Sequence, residues 1–268
     1  MSFFQGKFGK IYYQVKGEGF PVIFISGMGA SHQEWFCQIP SLSKKFKVIT
    51  FDNAGSGRSV HPDCEISIHE MAEDVSTLVQ YLKLERVVLI GSSMGGLIAQ
   101  SCLELFPKKI AGLVLSSTFE GINSHMIAVL SPLLKSRQSA KVRVKNVLPL
   151  MISEKFIREE AKIVHRYISQ AEEMSAPREV LQRQVRAVLN FSPHPPRSTH
   201  KMPMLILVGA QDPITPPSLA EDLQKRYPQA QLHLFEGAKH LPHIERAQEF
   251  NDQLEQFLTH VVRGNSKL

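Results

Sequence analysis

The chain has 268 residues, of which 43% are hydrophobic, and this is enough to bury one large core. It contains no run of about 18 apolar residues, and its first ten residues lack the apolar stretch of a signal peptide, so we expect neither a membrane span nor a secretion signal. The three cysteines, an odd number without C-x-x-C spacing, predict reduced thiols in a cytoplasmic protein.

The net charge of +6 is distributed unevenly along the chain. Residues 119–200 contain 13 Lys and Arg against 7 Asp and Glu, whereas the remaining residues contain 18 of each sign. An excess of this kind favours either an acidic partner or a solvated surface that aids solubility. The sequence has neither zinc-finger spacing nor basic stretches interleaved with aromatic residues, so we do not expect nucleic-acid binding.

Apolar periodicity predicts that strands alternate with amphipathic helices along most of the chain. In chain order the predicted elements are strand 22–26, strand 47–52, helix 68–82, strand 86–91, helix 97–105, strand 111–116, strand 203–209, helix 219–227, strand 231–236 and helix 245–261. Because the strands are continuously apolar, they predict a mostly parallel central sheet with helices on both faces, which is an α/β fold.

The alternation is interrupted between residues 119 and 199. This stretch has helical periodicity, several prolines and much charge, and it is too long for a plain loop in a compact domain. We predict that 119–199 is an inserted helical lid, or cap, on a core formed by 1–118 and 200–268. Open α/β sheets bind ligands at the carboxyl ends of their strands, so we expect the lid to cover that edge.

The segment 91–95 has the pattern G-x-S-x-G with Ser93 at its centre. It follows a predicted strand and precedes a predicted helix, which is the context that this motif requires for a catalytic serine. Glycines on both sides allow the sharp turn that exposes the hydroxyl above the sheet. Ser92 does not fit the same register, because Ile90 would occupy the leading glycine position. A Gly/Ser-rich helix cap without chemistry is the structural alternative.

A serine nucleophile needs a base, and on a strand–turn–helix elbow the chain order is serine, acid, histidine. Asp212 follows the fifth predicted strand and His240 follows the sixth, so we expect both at the carboxyl edge of the sheet. Asp212 could instead be a turn residue before Pro213. The rival acid is Glu120, after the fourth strand, and the rival base is His243.

The oxyanion that forms during acyl transfer needs preorganised N–H donors. We expect one from the backbone of Met94, the residue after the serine, and one from Met28, in the loop after the first predicted strand. The side chains of Trp35 and Phe119 could line an acyl pocket, although each could equally be ordinary core.

Five segments together carry a resemblance to a known family. They are 26–29 (SGMG), 35–40 (WFCQIP), 51–59 (FDNAGSGRS), 91–96 (GSSMGG) and the two loops that contain Asp212 and His240. In these residues the chain resembles the α/β-hydrolase superfamily of small carboxylesterases and lactonases. The serine at the elbow sets it apart from the dehalogenases and epoxide hydrolases of this fold, which have Asp there.

The resemblance implies an α/β-hydrolase fold with a helical lid and a serine mechanism, and it implies neither a metal nor an organic cofactor. It also implies that Asp52 and Arg58 brace loops rather than take part in chemistry. Ser26 departs from the usual pattern, in which a His precedes the glycine of the oxyanion loop.

In lid length and charge the chain is similar to two subgroups of this superfamily. These are the pimeloyl-acyl-carrier-protein methyl ester esterases of biotin synthesis and the 3-oxoadipate enol-lactonases. The first similarity implies that the basic lid residues Lys141, Arg143 and Arg158 bind the substrate through an acidic acyl carrier protein. A solvated helical face is the alternative reading of the same charges.

We therefore predict a serine carboxylic-ester hydrolase that acts on a small-molecule ester through an acyl-enzyme, with pimeloyl-ACP methyl ester as one candidate substrate. An enol-lactonase or a C–C bond hydrolase would use the same Ser–Asp–His set. A non-catalytic ligand-binding member of the fold is the alternative from another class of function.

Overall fold

The structure is a computed structural model that describes residues 2–174, 176–193 and 202–265. Its strands are β1 (Ser2–Gln5), β2 (Lys10–Lys16), β3 (Pro21–Ile25), β4 (Lys47–Phe51), β5 (Val87–Ser92), β6 (Ile110–Ser116), β7 (Met204–Gly209) and β8 (Ala230–Phe235). They form one sheet in the order β1-β2-β4-β3-β5-β6-β7-β8. The pairs from β4 to β8 are parallel, and β1–β2 and β2–β4 are antiparallel.

The predicted fold class is confirmed, and the six predicted strands correspond to β3 through β8. The sequence analysis missed the antiparallel pair β1 and β2. Their residues are a mixture of buried, half-buried and exposed positions at the edge of the sheet, and the four residues 6–9 (GKFG) separate the two strands. Short edge strands of this kind give a much weaker apolar signal than the continuously buried central strands.

The helices are α1 (Ile39–Leu42), α2 (Ile68–Tyr81), α3 (Met94–Leu105), α4 (Ser124–Lys135), α5 (Ala140–Met151), α6 (Glu154–Glu159), α7 (Ala161–Glu173), α8 (Arg178–Leu189), α9 (Pro217–Arg226), α10 (Pro242–Glu245) and α11 (Ala247–Asn265). Among the described residues, none of these helices is long and apolar enough to cross a membrane.

The core forms two layers, one on each face of the sheet. Every residue of β5 is buried, and its side chains alternate between the layers: Val87 and Leu89 on one face, Val88 and Ile90 on the other. The first layer includes apolar residues of α2, α3 and α9, and the second includes residues of α1 and α11. Burial on both faces explains why these strands are apolar without interruption.

The long stretch between β6 and β7 is helical, and α4 to α8 all fall within it. Helices α4 and α8 pack against each other, and α7 contacts the short turn at His32–Trp35 that follows β3. The insertion therefore touches the loops at the carboxyl edge of the sheet. The predicted boundary between residues 199 and 200 lies outside the described residues.

Candidate active site

Ser93 lies at the sharp turn between β5 and α3, with φ 51° and ψ −118°. A non-glycine residue is strained in this left-handed region, so the surroundings must hold it there. A Cβ atom on Gly91 would lie 2.3 Å from the carbonyl oxygen of Gly95, and one on Gly95 would lie 2.1 Å from that of Ile25. The two glycines of the motif are thus required by close backbone packing on both sides of the serine.

Hydrogen bonds from the adjoining strand hold this turn in place. The Ser93 N–H donates to the carbonyl oxygen of Ser116 at 2.9 Å, and the Thr118 hydroxyl donates to the carbonyl oxygen of Ser93 at 2.7 Å. With its backbone bonded in this way, Ser93 is left with its side chain half-buried at the mouth of the strands.

Asp212 and His240 come from loops after β7 and β8, and both are buried. The Nδ1 atom of His240 lies 2.8 Å from Oδ2 of Asp212. The carboxylate also accepts hydrogen bonds from the N–H groups of Ile214 and Thr215, at 2.8 and 2.9 Å, and from the Thr215 hydroxyl at 2.7 Å. A carboxylate with this many donors is held in one orientation, and it fixes the ring that it contacts.

The pKa of Asp212 lies below its ordinary value although the group is buried. Burial on its own raises this pKa, but the His240 ring and the donors from Thr215 outweigh that effect. Asp212 is therefore an anion over the neutral pH range. An anion beside Nδ1 favours the tautomer that leaves Nε2 free to accept a proton.

Ser93 and His240 line the same cavity, whose volume is about 270 Å³. Most of its wall is apolar and comes from the inserted helices, including Met126, Val129 and Leu130. Within the described part of the chain, no hydrogen bond joins the Ser93 hydroxyl to the His240 ring. The structure thus pairs the acid with the imidazole, and it brings the imidazole and the serine to one cavity. In unliganded enzymes the bond between nucleophile and base is often long.

The N–H groups of Met28 and Met94 are the two predicted oxyanion donors, and both residues line the cavity. The neighbouring N–H groups have acceptors: that of Gly27 donates to Glu34 Oε2 at 3.0 Å, and that of Gly29 donates to Gln184 Oε1 at 2.8 Å. Neither Met28 nor Met94 donates a backbone hydrogen bond to another described residue. These two donors are therefore available to a ligand.

Ser26 takes part in the bonding of the oxyanion loop, where the family pattern has a histidine. Its hydroxyl donates to the carbonyl oxygen of Ser31 at 3.0 Å and accepts from Nε1 of Trp35 at 3.1 Å. Trp35 is fully buried against Phe24 and His243 and does not line the cavity. The prediction that Trp35 contacts substrate is wrong, because its indole supports the loop from the side of the core.

The expected bracing role of Asp52 agrees with its contacts. Its Oδ1 accepts from the His32 N–H at 2.6 Å and lies 2.7 Å from His32 Nδ1, and its Oδ2 accepts from the Arg58 N–H at 2.8 Å. The Ser59 hydroxyl donates to the Asp52 carbonyl oxygen. This carboxylate joins two loops at the edge of the sheet and does not line the cavity.

The remaining predicted substrate contacts fall into two groups. Phe119 and Arg143 line the cavity. Lys141 and Arg158 are exposed on the outside of the inserted helices and lie away from the cavity wall. Long charged side chains on amphipathic helices remain in solvent, so these two do not contact a ligand held in the cavity. Their predicted binding of a carrier protein stays a prediction.

Both rival catalytic residues are placed elsewhere. Glu120 lies 3.9 Å from Arg226 at the surface. His243 is fully buried behind the oxyanion loop, where its Nε2 is 3.5 Å from Glu34 Oε1, and it does not line the cavity. Burial lowers the pKa of His243 to about 3, so its ring is neutral and remote from solvent protons.

Sequence reasoning missed two residues that shape the site, Glu34 and Gln184. Gln184 is fully buried on α8, and besides Gly29 it contacts Ala54 and Ser56 through its amide nitrogen. It occupies the apolar face of that helix, and a polar residue at such a position is a readable signal of a buried contact. Glu34 lies in a short irregular turn without periodicity, so no such signal exists for it.

Metal-binding side chains are not clustered in the described part of the chain. No group of three or more His, Cys, Asp and Glu residues there is arranged to hold a metal ion. The polar side chains on the cavity wall include those of Ser93, His240, Glu34, Arg143 and Tyr167.

A family model for the alpha/beta hydrolase fold matches residues 21–247. The chain belongs to this family. This agrees with the strand order, the elbow at Ser93 and the positions of Asp212 and His240 at strand ends.

Relatives of this alpha/beta hydrolase include enzymes with hydrolytic names. The 3-oxoadipate enol-lactonase 2 of Acinetobacter baylyi is 25% identical over 234 residues, which cover 87% of this chain and 86% of that protein. A thermophilic esterase from Thermogutta terrifontis has a TM-score of 0.84 at 25% identity, with 94% of each chain covered. The enol-lactonase from Burkholderia xenovorans LB400 has a TM-score of 0.88 at 24% identity, covering 96% of this chain and all of that one (100%), and that likeness shows the fold. The protein is thus a hydrolytic enzyme.

Proposed function

We propose that the protein is a serine carboxylic-ester hydrolase with Ser93 as nucleophile, His240 as general base and Asp212 as the acid that orients the base. The observation that carries the proposal is the buried His240–Asp212 pair, 2.8 Å apart, whose imidazole lines the same cavity as Ser93. This is the nucleophile, base and orienting group that acyl transfer requires.

The reaction would proceed in two acyl-transfer steps. The Ser93 oxygen attacks the ester carbonyl carbon while Nε2 of His240 accepts the hydroxyl proton. The negative charge on the carbonyl oxygen is held by the N–H groups of Met28 and Met94. The carbon–oxygen bond to the alcohol then breaks, and His240 returns the proton to the departing alcohol. Water attacks the acyl-enzyme in the same way and releases the carboxylic acid.

The cavity favours an ester whose acyl or alcohol part is apolar. Its lining from the inserted helices includes Val129, Leu133 and Val147, and Phe119 adds an aromatic ring to the wall. A ligand gains binding free energy when its apolar surface is buried against such a wall, and charged groups of a ligand bind poorly there. On this proposal α4 to α8 are the lid of the enzyme and form one wall of its substrate site.

The proposal is tested with p-nitrophenyl esters of increasing chain length and with a fluorophosphonate probe. The wild type should hydrolyse the esters and be labelled on Ser93, whereas Ser93→Ala should lose both activities and keep its melting temperature. Ser101→Ala is the matched control, because Ser101 is a buried serine on α3 that does not line the cavity, and it should retain labelling on Ser93. Undiminished hydrolysis by Ser93→Ala would exclude the serine mechanism.

An enol-lactonase is the second candidate function. The Acinetobacter relative is named as one, and Arg143 adds a positive charge to the cavity wall that could hold an acidic ring. The panel of esters should therefore include small acidic lactones. A kcat/KM for the lactones that exceeds every ester and falls with Arg143→Leu would favour this candidate.

Binding of an acidic acyl carrier protein is the finer form of the ester proposal. Lys141 and Arg158 are exposed on the lid, where they could steer such a partner toward the cavity. With carrier-linked methyl esters we expect Lys141→Glu and Arg158→Glu to lower kcat/KM, and salt to reduce the wild-type rate. Lys16→Glu, an exposed change near the opposite edge of the sheet, is the control. Equal rates in all variants and at all salt concentrations would mean that the lid charges form only a solvated surface and do not bind a carrier protein.

A further inference from the structure

Glu34 is a buried carboxyl group on the cavity wall that the proposed mechanism does not use. It lies in the turn after β3, and it lines the cavity together with Ser93 and His240. A Cβ atom on Gly27 would lie 3.4 Å from Cβ of Ser93 and 3.9 Å from Oε1 of Glu34. The carboxyl group and the serine thus flank the same glycine of the oxyanion loop.

The two oxygens of Glu34 have different surroundings. Oε2 accepts the hydrogen bond from the Gly27 N–H at 3.0 Å. Oε1 lies 3.5 Å from Nε2 of His243. Since Oε2 accepts the hydrogen bond from Gly27, a proton bound by the Glu34 carboxyl group would lie on Oε1.

We propose that Glu34 is a positioning residue that must be protonated for hydrolysis, because its carboxyl group adjoins the N–H donors that would hold the oxyanion. This inference rests on the proposed function. The neutral acid keeps the Gly27 N–H occupied and orients the loop so that the Met28 N–H faces the cavity. The carboxylate would keep that bond but place a negative charge beside the developing oxyanion.

The groups that face Glu34 do not neutralise a carboxylate there. His243, on α10, stays neutral because burial lowers its pKa to about 3. Tyr167, on α7, also lines the cavity. Its burial and, to a smaller extent, the charge of Glu34 raise the pKa of its hydroxyl, so Tyr167 is also neutral. His240 is the remaining titratable neighbour, and as the general base it must be neutral when it accepts the serine proton.

Burial raises the pKa of Glu34 to about 7, against the opposing effects of the Gly27 N–H, Ser92, His240 and Ser26. The group therefore changes charge within the working pH range of an esterase. Like charges at short distance in a poorly solvated site repel strongly, so ionisation of Glu34 should raise the barrier to oxyanion formation.

The test compares the pH dependence of kcat/KM for the wild type and Glu34→Gln with a neutral p-nitrophenyl ester. The amide keeps the acceptor for Gly27 and cannot ionise. Both profiles should share the acidic limb that a neutral base requires. Above about pH 7 the kcat/KM of the wild type should fall roughly tenfold per pH unit toward a lower plateau, and that of the variant should remain constant. The ratio of variant to wild type should rise about tenfold or more between pH 6 and pH 9.

Asp74→Asn is the matched control, because Asp74 is another buried carboxyl whose pKa burial raises, to about 6, and it lies away from the cavity. Its kcat/KM profile should match the wild type. If Glu34→Gln does not fold, the pH profile of kcat/KM for Glu34→Met is compared with that of the wild type instead. Full wild-type activity at pH 9, or a ratio that is constant with pH, would overturn the proposal.

The proposed function can fail separately from this inference. Retained hydrolysis by Ser93→Ala would remove the serine mechanism, whatever Glu34 does. An inactive Ser93→Ala enzyme combined with identical profiles for wild type and Glu34→Gln would remove only the role of Glu34. A loss of activity in Glu34→Gln at every pH would mean that the carboxylate, and not the acid, supports the reaction.

Discussion

At the scale of single residues, the site depends on groups held in place by their neighbours. Ser93 occupies a backbone conformation that costs on the order of 1–3 kcal/mol, and contacts with Ser116 and Thr118 maintain it. Asp212 is similarly constrained, because Ile214 and Thr215 direct their N–H groups at one oxygen, and the other contacts His240 and the Thr215 hydroxyl. Side chains fixed in this way are ready for the reaction before substrate binds.

The change Asp212→Asn tests this arrangement. The amide oxygen can still accept from the backbone of Ile214 and Thr215, but its NH₂ group would donate to Nδ1 and favour the wrong tautomer of His240. We expect kcat to fall by about 10⁴ with the melting temperature nearly unchanged, measured with a p-nitrophenyl ester and by calorimetry. Glu120→Gln, at the position of the rival acid, should leave kcat unaltered, and a near-normal rate for Asp212→Asn would remove Asp212 from the mechanism.

At the scale of secondary-structure elements, α8 joins the insertion to two loops of the sheet edge. Its Gln184 accepts from Gly29 and donates to Ala54 and Ser56. Leu181 of the same helix lies against Gly29, where a Cβ atom would come within 3.1 Å of its side chain. The helix thus fixes the loop that carries the Met28 donor.

The change Gln184→Leu should weaken catalysis through that loop. The Gly29 N–H would lose its acceptor, and an unsatisfied buried donor costs about 1–3 kcal/mol. We expect kcat/KM to fall about 10- to 100-fold, mostly in kcat. Gln182→Leu is the control on the same helix, because Gln182 donates to the Leu134 carbonyl oxygen of α4. This variant should leave kcat within about twofold of the wild type. Similar kinetics for the two variants would contradict a coupling through Gln184.

At the scale of the whole molecule, the parallel sheet places the ends of β5, β7 and β8 along one edge, and Ser93, Asp212 and His240 follow those ends. The antiparallel edge has a different function in the fold. There the Lys7 N–H donates to Oδ1 of Asp74 at 2.6 Å and ties the first hairpin to α2. Burial raises the pKa of Asp74 to about 6, although the Lys7 N–H opposes the shift.

A raised pKa in the folded state makes Asp74 stabilising when protonated and costly when ionised. Its contribution is present below the ordinary aspartate pKa and is lost as the pH rises through about 6. At pH 8 we expect the free energy of unfolding of Asp74→Asn, measured by urea denaturation, to exceed that of the wild type by ~2 kcal/mol. At pH 3.5 the two proteins should be equally stable. Asp252→Asn, an exposed change on α11, is the control, and an advantage of Asp74→Asn that is equal at both pH values would contradict the assignment.

Much of the fold and the central residues of the site were predictable from local patterns. Continuous apolar runs indicate β3 to β8 because strands covered on both faces admit few polar residues. The elbow is predictable because its motif lies between a strand pattern and a helix pattern, although the close approach that requires Gly95 comes from the distant Ile25. The edge strands β1 and β2 were missed, since half-exposed residues at a sheet edge lack that pattern.

The sequence by itself determined the α/β layout, the serine at the elbow and the loops that carry Asp212 and His240, because each leaves a recognisable pattern within a short segment of the chain. Only the tertiary structure decided which side chains reach the cavity. It buried Trp35 in the core and turned its neighbour Glu34 to the cavity, and it brought Gln184 to Gly29 across 155 positions of the chain. Contacts of such separation follow from packing the insertion against the sheet edge, and no local periodicity encodes them.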